Sequence, residues 1–189
     1  MTATRPYRLG RRAERQAQTR QRIVEAAVDL HATVGPATTS VSAIAERAGV
    51  QRHTVYAHFP DETVLFEACS SHWIGANPFP DASEWLTIAD PGQRLRRALG
   101  DVYAWYDCVE DALALFVRDG HVFPSWGETR RARLGELADL LAKDLPRRKA
   151  VRAAVGHALQ FETWRSLVRA QGLSNRAAAD AMARLAEAL

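Results

Sequence analysis

A chain of 189 residues, 47% hydrophobic and 25% charged, has the length and composition to bury a core of its own. Those proportions exclude a disordered, collagen-like or membrane chain, and the longest uninterrupted apolar run, Ala112–Val117, is far too short to span a bilayer. The net charge of +3 hides an asymmetry: residues 1–60 hold nine arginines against Glu14, Glu25, Asp29 and Glu46, a local +5, which leaves −2 on the rest.

Residues 1–10 mix Arg, Pro, Thr and Gly without periodicity and read as a flexible basic arm. From Arg11 to Val34 the apolar positions Ile23, Ala27, Leu30 and Val34 step by four, three and four, which marks one face of a helix. Gly35-Pro36 ends it. Ser40 then caps a short helix over 41–48, Gly49-Val50 forms a turn, and a third helix runs over 52–58 before Phe59-Pro60-Asp61. Two short helices joined through a glycine-containing turn on a longer first helix make a helix-turn-helix head.

The spacing predicts further helices over 62–74, 90–109 (Leu95, Leu99, Val102, Tyr106, Val109), 111–119, 128–145, 147–171 and 174–189. Irregular links are expected over 77–90 and 120–127, and Pro146 is expected to close the helix before it. No strand-like alternation emerges, so the fold class is all-α with about nine helices: an arm (1–10), a head (11–60) and a helical body (61–189). The helix over 147–171 is apolar on more than one side, which asks for partners on two sides; with 174–189 it is the expected homodimer face, Leu159 and Met182 included.

Residues 19–66 resemble the DNA-binding domain of the TetR family. The resemblance rests on Thr19-Arg20, Ile23, Ala26-Ala27, Leu30, Gly35, Thr39-Ser40-Val41, Ile44-Ala45, Ala48-Gly49-Val50, Thr54-Val55-Tyr56 and Phe59. It implies a sequence-specific transcriptional regulator, a double-stranded palindromic operator, and a body that dimerises and senses a small-molecule effector. By that resemblance the third helix enters the major groove with Arg52 and His53 facing bases. Thr39, Ser40, Ser42, Gln51, Thr54, Tyr56 and His58 complete the expected DNA contacts, Tyr56 being either a contact or half-buried scaffold and His58 a contact or merely exposed. The arm either adds backbone or minor-groove contacts or only raises nonspecific affinity. Three positions depart from the family: Glu62 stands where a phosphate-binding lysine is common, Ser42 where a charged side chain is frequent, and Gln51 where serine is usual.

Aromatic and polar residues of the body, Trp73, Tyr103, Tyr106, Phe116, His121, Phe123, Phe161 and Trp164, are the candidates for lining an apolar effector cavity; each is otherwise plain core. Cys69 and Cys108 lack CxxC spacing or a His pair and read as core thiols, so no metal and no cofactor is expected. No nucleophile elbow, HExxH or phosphate-cradling glycine loop occurs, which argues against an enzyme. Residues 1–9 have no apolar stretch, so a cytoplasmic location is expected. A regulator that activates, or an architectural DNA binder that senses nothing, remains open with the same head.

Overall fold

A computed structural model describes residues 5–145 and 149–189, the first five of these as backbone only. Ten α-helices, one 3-10 turn and one π-turn make up its regular structure, with no strand among the described residues. The chain forms two compact units, one of residues up to Pro78 with Asp111–Phe123, the other of Phe79–Glu110 with Pro124–Leu189.

The first unit holds α1 (Arg5–Thr33), the 3-10 turn Pro36–Thr38, α2 (Val41–Ala48), α3 (Arg52–His58) and α4 (Glu62–Ala76). Helix α1 packs on α2 and α4, and α2 on α3. Ile23, Ala27, Ile44, Val55, Phe59 and Leu65 form the core, each at most 4% exposed. Phe66 stacks on Phe123 with ring centroids 3.8 Å apart, so a residue nearly sixty positions downstream closes this core. Beside it, His31 Nδ1 lies 3.2 Å from Cys69 Sγ, and the thiol donates to the Phe66 carbonyl. Burial holds His31 down at about 4 and pushes the Cys69 thiol up to about 12, so both stay neutral near pH 7.

Helix α6 (Pro91–Arg118) is shared: residues 91–110 belong to the second unit and 111–118 to the first. At its end a buried carboxylate, Asp119, binds the corner between α1 and α2. Its Oδ2 accepts the Ala37 N–H at 3.0 Å and both carboxylate oxygens accept from Arg118, at 2.6 and 2.9 Å. Arg118 Nη2 also donates to the Val34 carbonyl at 3.2 Å. Gly35 (φ 95°, ψ 155°) lies directly beneath, in a backbone region that only glycine occupies readily, and a Cβ there would meet Arg118 Nη2 and Asp119 Oδ2 at 2.4 Å. The pairing with Arg118 holds the Asp119 carboxyl below the usual carboxylate range.

The second unit holds α5 (Ala82–Leu86), the first five turns of α6, α7 (Pro124–Ala142), α8 (Lys149–Ala158), α9 (Phe161–Arg165), the π-turn Ser166–Ala170 and α10 (Asn175–Glu187). Helix α8 packs on α7 and α10. Tyr103, Tyr106, Phe161 and Trp164 are all but fully buried, with the polar ends of three of them bonded. The tyrosine hydroxyls donate to the carbonyls of Ala158 and Leu159 at 2.8 and 2.7 Å, and Trp164 Nε1 donates to Asn175 Oδ1 at 2.9 Å.

Several expected boundaries move, each for a local reason. The arm is helical from Arg5 onward, since Arg, Gln, Glu and Ala are strong helix formers and Pro6 sits in the first turn where proline is tolerated; residues 1–4 of the expected arm lie outside the described residues. The link over 77–90 contains α5, capped by the Asp81 carboxylate on the Ser83 N–H and anchored by buried Trp85, whose Nε1 donates to Asp101 at 2.9 Å. Residues 91–118 are one helix, because the polar run Asp107–Asp111 lacks a breaker and Val109 and Leu113 keep the buried spacing. The link over 120–127 gives way to helix at Pro124. The long helix over 147–171 is broken at Leu159–Gln160, where the two tyrosine hydroxyls take carbonyls that a continuous helix would use. Pro146, expected to end α7, lies outside the described residues, and α7 itself ends at Ala142. Cys108 is exposed rather than core.

Candidate nucleic-acid interface

The helix-turn-helix is built by caps and one left-handed residue. Ser40 Oγ accepts the Ala43 N–H at 3.1 Å and starts α2; Gly49 (φ 65°, ψ 40°) ends it, and Val50 N–H returns to the Ala45 carbonyl at 2.9 Å. Val55 and Phe59, each 1% exposed, then fix α3 to the core, so its other side faces outward.

That outward side carries Arg52, His53 and Tyr56, all exposed, with Thr54 and His58 half-buried at its edges. Arg52 Nη2 donates to Tyr56 Oη at 3.3 Å and its guanidinium lies 5.6 Å from the Tyr56 ring centre, an i,i+4 pair that presents a planar fork beside a phenol. Tyr56 is 39% exposed, which removes it from the scaffold and leaves it on the surface. Gln51 stands exposed at the N-cap position of α3 and makes no capping bond there, and Ser42 is exposed on α2. Thr39 is half-buried with its hydroxyl donating to the Gly35 carbonyl at 2.8 Å, and Ser40 is occupied by its cap; both shape the corner first.

Glu62 is exposed in the first turn of α4 beside Asp61, whose carboxylate accepts the Val64 N–H at 2.9 Å. Two acids there suit the positive end of a helix dipole, which accounts locally for the departure from lysine. Two residues that periodicity does not single out also border α3. Arg20 lies over the Phe59 ring at 4.6 Å, and Arg22 Nη1 stands 3.9 Å from the point where a Cβ on Gly49 would sit. Arg47, by contrast, is paired with Asp29.

A family model described as bacterial regulatory proteins, tetR family, matches residues 23–69, which span this helix-turn-helix with the end of α1 and the first half of α4. That match covers about a quarter of the chain. The chain is similar to the HTH-type transcriptional regulator AcrR of Shigella flexneri, 41% identical over 59 residues, a stretch covering 31% of this chain and 27% of that protein. The chain thus aligns with about a quarter of the length of that curated relative. Among solved structures, a TetR-like transcriptional regulator from Rhodococcus sp. RHA1 shares the fold with a TM-score of 0.61 at 24% identity, covering 89% of this chain and 93% of that one. A TetR-family regulator from Mesorhizobium loti gives 0.59 at 19% identity, covering 92% and 97%. These two likenesses extend the TetR fold over the body, where the sequence match stops.

The eight residues expected around an effector divide between the units. Trp73, Phe116, His121 and Phe123 belong to the first, where Trp73 packs edge-on against Phe116 with centroids 5.3 Å apart, Phe123 is stacked on Phe66, and His121 is exposed. Tyr103, Tyr106, Phe161 and Trp164 form the packed core of the second. An open groove of about 810 Å³ between α6 and α10 is lined by Arg96, Arg97, Asp180 and Arg184, a polar surface unlike the apolar lining expected. Among the described residues, no helix is long and apolar enough to cross a membrane.

Proposed function

We propose that this TetR-family chain is a ligand-responsive repressor: a homodimer that places α3 of each copy in successive major grooves of a palindromic operator and leaves it when a small apolar or aromatic molecule binds the body. The observation that carries the reading is the outward side of α3, where Arg52, His53 and Tyr56 stand exposed on a helix otherwise anchored by buried Val55 and Phe59. An arginine so placed bonds guanine O6 and N7 together, and the major groove admits one helix. Half-sites about 34–36 Å apart would make release easy, because a small change in head spacing spoils simultaneous docking.

Dimerisation draws on the outer side of α10. Leu159 and Met182, expected at that face, are 0% and 7% exposed and belong to the core of their own chain. Exposed instead are Ala177, Ala181, Leu185 and Ala188, spaced so that they fall on one side of α10, with Leu185 52% exposed. Small residues around one leucine allow close approach of a second helix.

Selection of bound sequences from a random duplex pool tests the head. A palindrome should emerge, and Arg52→Ala should cost about 1–3 kcal/mol on it while relaxing one base pair per half-site. Equal weakening on every sequence would make Arg52 a phosphate contact instead. Competition with a panel of apolar aromatic compounds then tests sensing. A second reading, a regulator that binds DNA without an effector, is favoured by the dense packing and satisfied polar ends of Tyr103, Tyr106 and Trp164; failure of every compound to release the operator would support it.

A further inference from the structure

The proposed function uses α3, but the first unit carries a second run of exposed arginines, Arg11, Arg12, Arg15, Arg20 and Arg22, on α1. From Gly10, where the described side chains of α1 begin, the first buried residue is Ile23, so about 20 Å of described helix precedes the core. Over residues 10–18 every side chain is exposed. At about 100° per residue, Arg11, Arg12, Arg15, Thr19 and Arg22 fall within an arc of about 100°. Buried Ala26 lies inside that arc, so the stripe prolongs a side of α1 that faces the core farther along.

Two contacts place the root of this extension beside the reading helix. Arg20 covers the ring of Phe59, the residue that ends α3, and Arg22 reaches the turn at Gly49 between α2 and α3. The extension therefore leaves the fold beside α3, the helix proposed to lie in the major groove. Its form limits what it can touch. A helix about 10–12 Å across does not enter a minor groove about 6 Å wide, so the minor-groove contacts open to an extended arm are closed to it. Residues 10–20 present no apolar face, which argues against a membrane surface.

We propose that the exposed N-terminal turns of α1 are a second DNA-contacting element, a basic helix whose Arg12 and Arg15 meet backbone phosphates flanking the bases read by α3. The proposal rests on the regulator reading above and adds affinity and register without sequence preference. Its test is the salt dependence of binding, by fluorescence anisotropy, on the selected palindrome and on a scrambled duplex of equal length. The double variant Arg12→Ala with Arg15→Ala should lower the slope of log K against log salt by about 1.8 per bound chain on both duplexes, with base preference unchanged. Ala17→Pro keeps both arginines but breaks the helix between them and the core, and should lose the same slope. Thermal melts matching the parent protein show that each variant retains its fold.

An unchanged slope in the double variant overturns the proposal. So does a parental slope in Ala17→Pro, since charge on a loose tether would then suffice, and so does binding to vesicles of neutral and anionic phospholipid that the double variant abolishes while its duplex slope is intact. Failure of the parent protein to prefer the selected palindrome over the scrambled duplex defeats the regulator reading alone, because the slope on the scrambled duplex still decides the role of the helix.

Discussion

Replacing Gly35 by alanine puts a methyl group where Arg118 and Asp119 already are. The added carbon would sit 2.4 Å from Arg118 Nη2 and from Asp119 Oδ2. Arg118 is half-exposed and can swing away at little cost; Asp119 is 4% exposed on its side chain and has nowhere comparable to go. Moving it breaks the bond from the Ala37 N–H, worth about 1–3 kcal/mol when the donor is left unsatisfied. The backbone at φ 95° and ψ 155° adds strain of about 1–3 kcal/mol for a residue with a Cβ. Gly35→Ala should therefore destabilise by about 2–6 kcal/mol, a large share of the about 5–15 kcal/mol a domain has. Urea unfolding of Gly35→Ala, Asp119→Ala and the double variant separates the two parts. With Asp119 absent, the cost of the methyl group should fall to the backbone contribution, a coupling of at least about 1 kcal/mol. Strict additivity, or a Gly35→Ala cost below about 1 kcal/mol, would refute the steric account of this corner.

His31 makes stability depend on pH. Its folded value of about 4 lies below the ordinary 6.5, so the unfolded chain takes the proton first. The contribution is complete above about 6.5 and is lost as pH falls toward 4, by about 2 kcal/mol between 6.5 and 5. Denaturant melts of His31→Phe should lack that component, and parallel pH profiles for variant and parent would contradict it. Leu185→Glu should leave the monomer's fold intact and dissociate the proposed dimer at micromolar concentration in sedimentation; a variant that stays dimeric like the parent would move the interface off the outer side of α10.

The head was legible because its signals are local. Gly35-Pro36, Ser40, Gly49 and Phe59-Pro60 each stop, cap or turn the chain through their own backbone chemistry, and all hold in the structure. Exposure of Arg52, His53 and Tyr56 followed from burying Val55 and Phe59 on the opposite side. The body was less legible because its breaks are imposed from a distance. Nothing near Leu159 announces a break, which comes from two hydroxyls more than fifty residues away. Leu159 and Met182 show the same limit at the candidate dimer face: periodicity identifies an apolar side but not whether its own chain or a second one covers it. Asp119 was missed since a lone acid at a helix end reads as solvated, and only its reach to Ala37 shows otherwise.

The stacking of Phe123 on Phe66 also governs how the protein is made. A ribosome that has released residue 78 has delivered the whole helix-turn-helix, yet neither the ring that closes its core nor the carboxylate that ties its corner exists until Asp111–Phe123 has been added. At about 5–20 residues per second, that is a delay of about 2–9 s in which Phe66 lacks its stacking partner and Gly35 its clasp. The helix-turn-helix is thus an early translation product that matures late, and a truncated message ending before Phe123 would yield a head with α3 encoded but its support missing.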